Sequence, residues 1–117
     1  MLSLPSSTCI WLATRPTDLR KSFDTLAELV RQQMHNDPLS GQLFVFRNKR
    51  GDRIKLLHWD EDGFVIVYKR LEKGTFRFPQ ADGVSLQIRA ADLHMLLDGV
   101  DFESVKRRPR YRRPVPA

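Results

Sequence analysis

Leu43-Phe44-Val45-Phe46-Arg47-Asn48-Lys49-Arg50-Gly51-Asp52-Arg53 and Tyr68-Lys69-Arg70-Leu71-Glu72-Lys73-Gly74-Thr75-Phe76-Arg77-Phe78-Pro79 are the two stretches on which the fold turns. Both alternate apolar and basic residues, the period of a strand with two unlike faces. Between and within them lie Lys49-Arg50-Gly51, Glu61-Asp62-Gly63 and Glu72-Lys73-Gly74, all ending in glycine. A three-residue hairpin loop places its last residue in the left-handed region, where glycine meets no Cβ penalty. The pattern predicts an antiparallel meander with strands near 43–48, 52–60, 64–71 and 75–79.

Those loops imply a register in which Asn48 faces Asp52, Asp60 faces Phe64 and Leu71 faces Thr75. One side of the sheet then carries Phe44, Phe46, Ile54, Leu56, His58, Phe64, Ile66, Tyr68, Phe76 and Phe78 as a core. The other carries Arg47, Arg53, Lys55, Lys69 and Arg77 with Leu57, Trp59, Val65 and Val67. Lys55, Lys69 and Arg77 would lie side by side, with Arg47 opposite Arg53. Like charges so placed repel, which points to an anionic partner. The assignment rests on the loops, because a one-residue slip sends a strand's side chains to the opposite face.

Working outward, Thr8 to Ala13 reads as a strand. Phe23, Leu26, Ala27, Val30 and Met34 recur at helical spacing, with Asp18 or Ser22 as cap. Asn36-Asp37-Pro38 ends that helix. Val84 to Ile88 reads as a fifth short strand. Ala90 to Asp98 reads as a second helix with Leu93, Leu96 and Leu97 inward and Gly99 closing it. Trp11 and Phe102 read as core. The chain divides into an α+β domain over 1–105 and an extended basic, proline-containing tail over 106–117.

The 117 residues carry a net charge of +6. All of it resides in the tail, where Lys106, Arg107, Arg108, Arg110, Arg112 and Arg113 meet no acid. The remaining 105 residues hold 14 basic and 14 acidic side chains. Within that neutral body, 43–78 has nine basic and five acidic residues, and 79–105 has one basic and five acidic. This polarity suggests surfaces with different partners. No apolar run approaches the ~20 residues of a membrane span, and the apolar stretch at Cys9–Ala13 has no basic region ahead of it. The single cysteine, Cys9, reads as a small buried hydrophobe, and the cytoplasm is the expected compartment.

No catalytic constellation is visible. His35, His58 and His94 are dispersed, so no metal site and no cofactor are expected. His58 reads as a hydrogen-bonded core histidine. Asp60-Glu61-Asp62 reads as hairpin acids rather than a two-metal centre. The remaining chemistry is binding. Arg47, Lys49, Arg50, Arg53, Lys55, Lys69 and Arg77, with Lys106, Arg107, Arg108 and Arg110 of the tail, are the candidate nucleic-acid contacts, since cations spaced along a surface match phosphates along a backbone. Trp59, Tyr68 and Tyr111 could stack on bases.

Several longer matches carry a family resemblance: Thr17–Leu26, Asp37–Phe46, Asn48–Arg53, Trp59–Phe64, Tyr68–Gly74 and Leu96–Asp101. Over roughly Trp11 to Phe102 the chain resembles TnpB, the small accessory protein encoded by the second open reading frame of IS66-class bacterial insertion sequences. It departs at Leu19 and Ser22, where that family usually has Met and Gly. The resemblance implies a role beside a transposase in DNA transposition and brings no catalytic residues with it. The basic tail lies beyond the resemblance. The expectation is therefore a non-enzymatic accessory factor that binds DNA through a basic sheet face and tail. The alternative is a protein adapter that docks the transposase or self-associates, using the basic face or the acids Asp92, Asp98, Asp101 and Glu103.

Overall fold

The computed structural model describes residues 8–99. The tail 106–117 and the residues Phe102, Asp101 and Glu103 lie outside the described residues.

Five strands and two helices follow in the order β1 (Ile10–Ala13), α1 (Phe23–Gln32), β2 (Leu43–Arg47), β3 (Arg53–Asp60), β4 (Gly63–Arg70), β5 (Ser85–Ile88) and α2 (Ala90–Leu97). The strands form one sheet in the order β4-β3-β2-β1-β5. The α+β class stands, but the sheet is mixed. β1 runs parallel to β2, with Trp11 opposite Phe44, while the other neighbours are antiparallel. The segment containing α1 causes this. A helical crossover carries the chain back to the end of the sheet where β1 began, so the next strand runs the same way.

α1 has extended Ser22 as its N-cap, and the Ser22 carbonyl accepts the Leu26 N–H at 2.9 Å. Leu26, Ala27 and Val30 are buried, as the spacing predicts, and so is Met34 just past the helix end. Phe23 departs from the pattern and is 44% exposed. α2 opens with a capping box in which the Asp92 carboxylate accepts the Arg89 N–H at 3.0 Å. It ends with Gly99 at φ +80°, whose N–H reaches the Leu96 carbonyl. Leu93, Leu96 and Leu97 point inward.

The two helices cover opposite faces of the sheet. On the α1 side Leu26, Ala27 and Val30 pack in one cluster with Phe44, Phe46 and Leu57. On the α2 side Leu93, Leu96 and Leu97 share a cluster with Val45, Ile54 and Leu56. Neither central face is left to solvent, and this overturns the expected basic sheet face.

The register differs from the one the loops imply. Asn48 donates its backbone N–H to the Arg53 carbonyl, and Arg47 lies opposite Ile54, one residue away from expectation. Asp60 lies opposite Gly63, again one residue off. In that second hairpin Glu61, with φ 49°, takes the left-handed conformation assigned to Gly63. The two slips cancel for β4, so Phe64, Ile66 and Tyr68 do share the α1 side with Phe44 and Phe46. β3 alone is inverted. Lys55, Leu57 and Trp59 turn to the α1 side, and Ile54, Leu56 and His58 turn to the α2 side. Lys55 thus faces Phe46 and Tyr68, and Arg53 faces Arg70.

Residues 75–79 form no strand. Phe76 is buried, and it and Phe78 join the α2-side cluster with Ile54 and Leu56. Folding back over the sheet face buries apolar surface that pairing at the edge of β4 would leave open.

Candidate nucleic-acid interface

The turn between β2 and β3 is built by one side chain. Asn48 Oδ1 accepts the backbone N–H groups of Gly51 and Arg53, each at 3.0 Å. Its Nδ2 donates to the Asp52 carboxylate at 2.7 Å. That donation, ahead of the nearby Arg50 and Arg53 charges, holds the Asp52 carboxyl below its usual range. Gly51 sits at φ +80°, where an L side chain is strained, and a Cβ there would stand 3.5 Å from the Thr75 side chain. Its carbonyl accepts the Phe76 N–H at 2.8 Å, and the Asp52 carbonyl accepts the Leu71 N–H at 2.7 Å. These bonds pin the returning segment 75–79 against the turn.

Between the turn and the returning segment runs an open groove of about 680 Å³, with Arg47, Lys49, Arg50, Arg77, Gln80 and Asp82 among its lining residues. Lys49, Arg50 and Arg77 are exposed, and among the described residues none of the three makes an ion pair. Among the described residues Asp82 is the only acid in the lining. Arg47 differs from the other three. It is half-buried, donates from Nη2 to the Thr14 carbonyl at 3.2 Å, and lies 5.3 Å over the Phe78 ring. Burial lowers its pKa, and among the described residues its Nε has no hydrogen-bond partner.

The other expected contacts lie elsewhere. Lys55 is buried, donating to the Lys21 carbonyl at 2.8 Å with its ammonium 4.8 Å from the Tyr68 ring centroid. Lys69 reaches the Leu97 carbonyl at 3.5 Å, at the negative end of α2. Arg53 donates to the Tyr68 hydroxyl at 3.1 Å on the α1 side. The structure therefore gathers Arg47, Lys49, Arg50 and Arg77 and separates Arg53, Lys55 and Lys69 from them. Lys106, Arg107, Arg108 and Arg110 lie outside the described residues. Gln80 and Asp82 were missed, and no local signal marks them, because they reach the groove only through the fold-back.

Other side chains also take structural duties. Trp11 donates its indole N–H to Gln42 at 2.6 Å. Trp59 packs edge-on against Phe64 with centroids 5.0 Å apart. His58 is half-buried, but among the described residues its Nδ1 has no hydrogen-bond partner, contrary to expectation. Asp92, a candidate docking acid, is buried and caps α2. Among the described residues no three His, Cys, Asp or Glu side chains come together as metal ligands. No helix among them is long and apolar enough to cross a membrane.

The chain is similar to two uncharacterized proteins of Sinorhizobium fredii (strain NGR234). Similarity to y4jC is 38% identity over 100 residues, covering 86% of each chain. Similarity to y4hO is 38% identity over 102 residues, covering 87% of this chain and 89% of the relative. No solved structure matches. The family model described as IS66 Orf2 like protein matches residues 8–107, and the chain thus belongs to the IS66 Orf2-like family, whose members are transposition-associated accessory proteins of insertion sequences.

Proposed function

We propose that this chain is a non-enzymatic accessory factor that binds nucleic acid at the groove between the Asn48–Arg53 turn and the Thr75–Asp82 segment. The supporting observation is the convergence of Lys49, Arg50 and Arg77, exposed and without ion pairs among the described residues, from segments far apart in sequence. Three exposed cations with one acid beside them suit successive phosphates, which are recognised by charge and spacing rather than by base. Arg47, held by Thr14 and Phe78, forms part of the groove wall. The tail adds sequence-independent attraction, and DNA of the element, beside its transposase, is the partner.

The test is a salt titration of binding to duplex DNA from an element end. Each neutralised phosphate contributes ~0.9 to the slope of log affinity against log salt. Replacing Lys49, Arg50 and Arg77 together by Gln should shallow the slope by roughly 2 to 3. Lys55→Gln and Lys69→Gln should leave it unchanged. An unchanged slope in the triple variant refutes the groove assignment. Recovery of transposase that survives nuclease treatment, with no DNA shift by the protein alone, replaces the reading with the adapter.

A further inference from the structure

β4 is an outer strand, paired with β3 along one side. Among the described residues no backbone hydrogen bond reaches its other side. Long outer strands are normally blunted by a proline, a bulge or a central charge, because their free N–H and C=O groups template pairing with another chain. β4 spans eight residues with continuous register to β3. Its middle, Phe64-Val65-Ile66-Val67, is apolar, and Val65 and Tyr68 are 36% and 49% exposed.

The charges at the two ends of β4 select the occupant. Asp60, Glu61 and Asp62 stand at its start, and Lys69 and Arg70 at its finish. A parallel copy would set like charges together. An antiparallel copy centred on Ile66 would set Asp62 opposite Arg70, Phe64 opposite Tyr68 and Val65 opposite Val67, and a two-fold axis would repeat each pair. We infer that β4 pairs antiparallel with β4 of a second copy of this chain, joining two sheets into one. Arg70, exposed and bonded to Glu72 at 2.9 Å, retains donors for the partner's Asp62, since a guanidinium carries five N–H groups. Lys69 is drawn toward α2 and does not block the edge. This inference is independent of the groove.

The experiment is light scattering coupled to size exclusion on the full chain, free of nucleic acid, over a concentration series. The expected mass rises from 13.7 kDa to twice that value. Asp62→Lys and Arg70→Glu should each raise the midpoint concentration about tenfold, since each change affects two symmetry-related pairs. The double variant rebuilds both pairs with signs exchanged and should return toward the original midpoint. Circular dichroism confirms that each variant is folded. A monomer at every concentration, a dimer that neither single change weakens, or a double variant that fails to recover overturns the inference.

Discussion

Replacing Asn48 by alanine should loosen the turn that presents Lys49 and Arg50. The side chain accepts the N–H groups of Gly51 and Arg53 and donates to the Asp52 carboxylate. A net hydrogen bond is worth about 0.5–1.5 kcal/mol, so the two bonds to backbone amount to about 1–3 kcal/mol. For a domain of this size each kcal/mol moves the melting temperature by about 4–8 °C, which places the loss at roughly 5–20 °C. Thermal unfolding followed by far-UV circular dichroism at pH 7 measures it. Asn48→Asp sharpens the test, because it keeps the acceptor but loses the donation and sets two carboxylates against each other. That variant should be weakened at neutral pH and recover as the pH falls and the carboxylates protonate. In the wild type the sign is opposite. Asp52 has a lowered folded-state pKa, so its contribution is present above the unfolded value and fades as pH falls through the folded one. A melting temperature within about 2 °C of wild type for Asn48→Ala would refute the assignment of the turn to this side chain.

Three further outcomes follow from the same geometry. Gly51→Ala should cost about 1–2 kcal/mol in chemical denaturation from the left-handed backbone alone, since the 3.5 Å approach to Thr75 is ordinary contact. Leu96→Ala removes a fully buried side chain from the α2 cluster and should cost about 2–5 kcal/mol in urea unfolding, without altering the salt slope of DNA binding. Asp18 is held at about 2, chiefly by its hydrogen bond from the Arg20 side chain. Its pKa is lowered, so its stabilising effect is present above the unfolded value near 4 and is lost between about pH 4 and 2. NMR titration of the Asp18 carboxyl should show that low midpoint in the wild type and a rise toward the ordinary value in Arg20→Ala.

Much of the fold is legible in local pattern. The buried stripe Leu26, Ala27 and Val30, the inward leucines of α2 with Gly99 behind them, and the succession β2, β3, β4 all follow from periodicity and turn residues. The register does not. β3 contains Ile54-Lys55-Leu56-Leu57 and is buried on both sides, so alternation says little about which side faces which helix. Lys55 reads as outward from the register the loops imply, yet it is buried with its ammonium bonded to the Lys21 carbonyl. Glycine position misleads at the second hairpin, where Glu61 takes the positive φ. Of the expected nucleic-acid contacts, the groove keeps Arg47, Lys49, Arg50 and Arg77, and three of these belong to or border one turn already marked by Asn48 and Gly51.

The sequence by itself determined most of the segments that become helix, strand and turn, that residues 1–105 are electrically balanced, and to which family the chain belongs, because propensity, spacing and motif are local properties. Only the tertiary structure decided where each cation goes. A strand's side chains alternate, so a single residue of register moves them all across the sheet. Register here was set by burying apolar surface against two helices and a folded-back segment, contacts between residues tens of positions apart. The same collapse that buried Lys55 brought Arg77 beside Lys49 and Arg50, making a groove from pieces that share no neighbourhood in the chain.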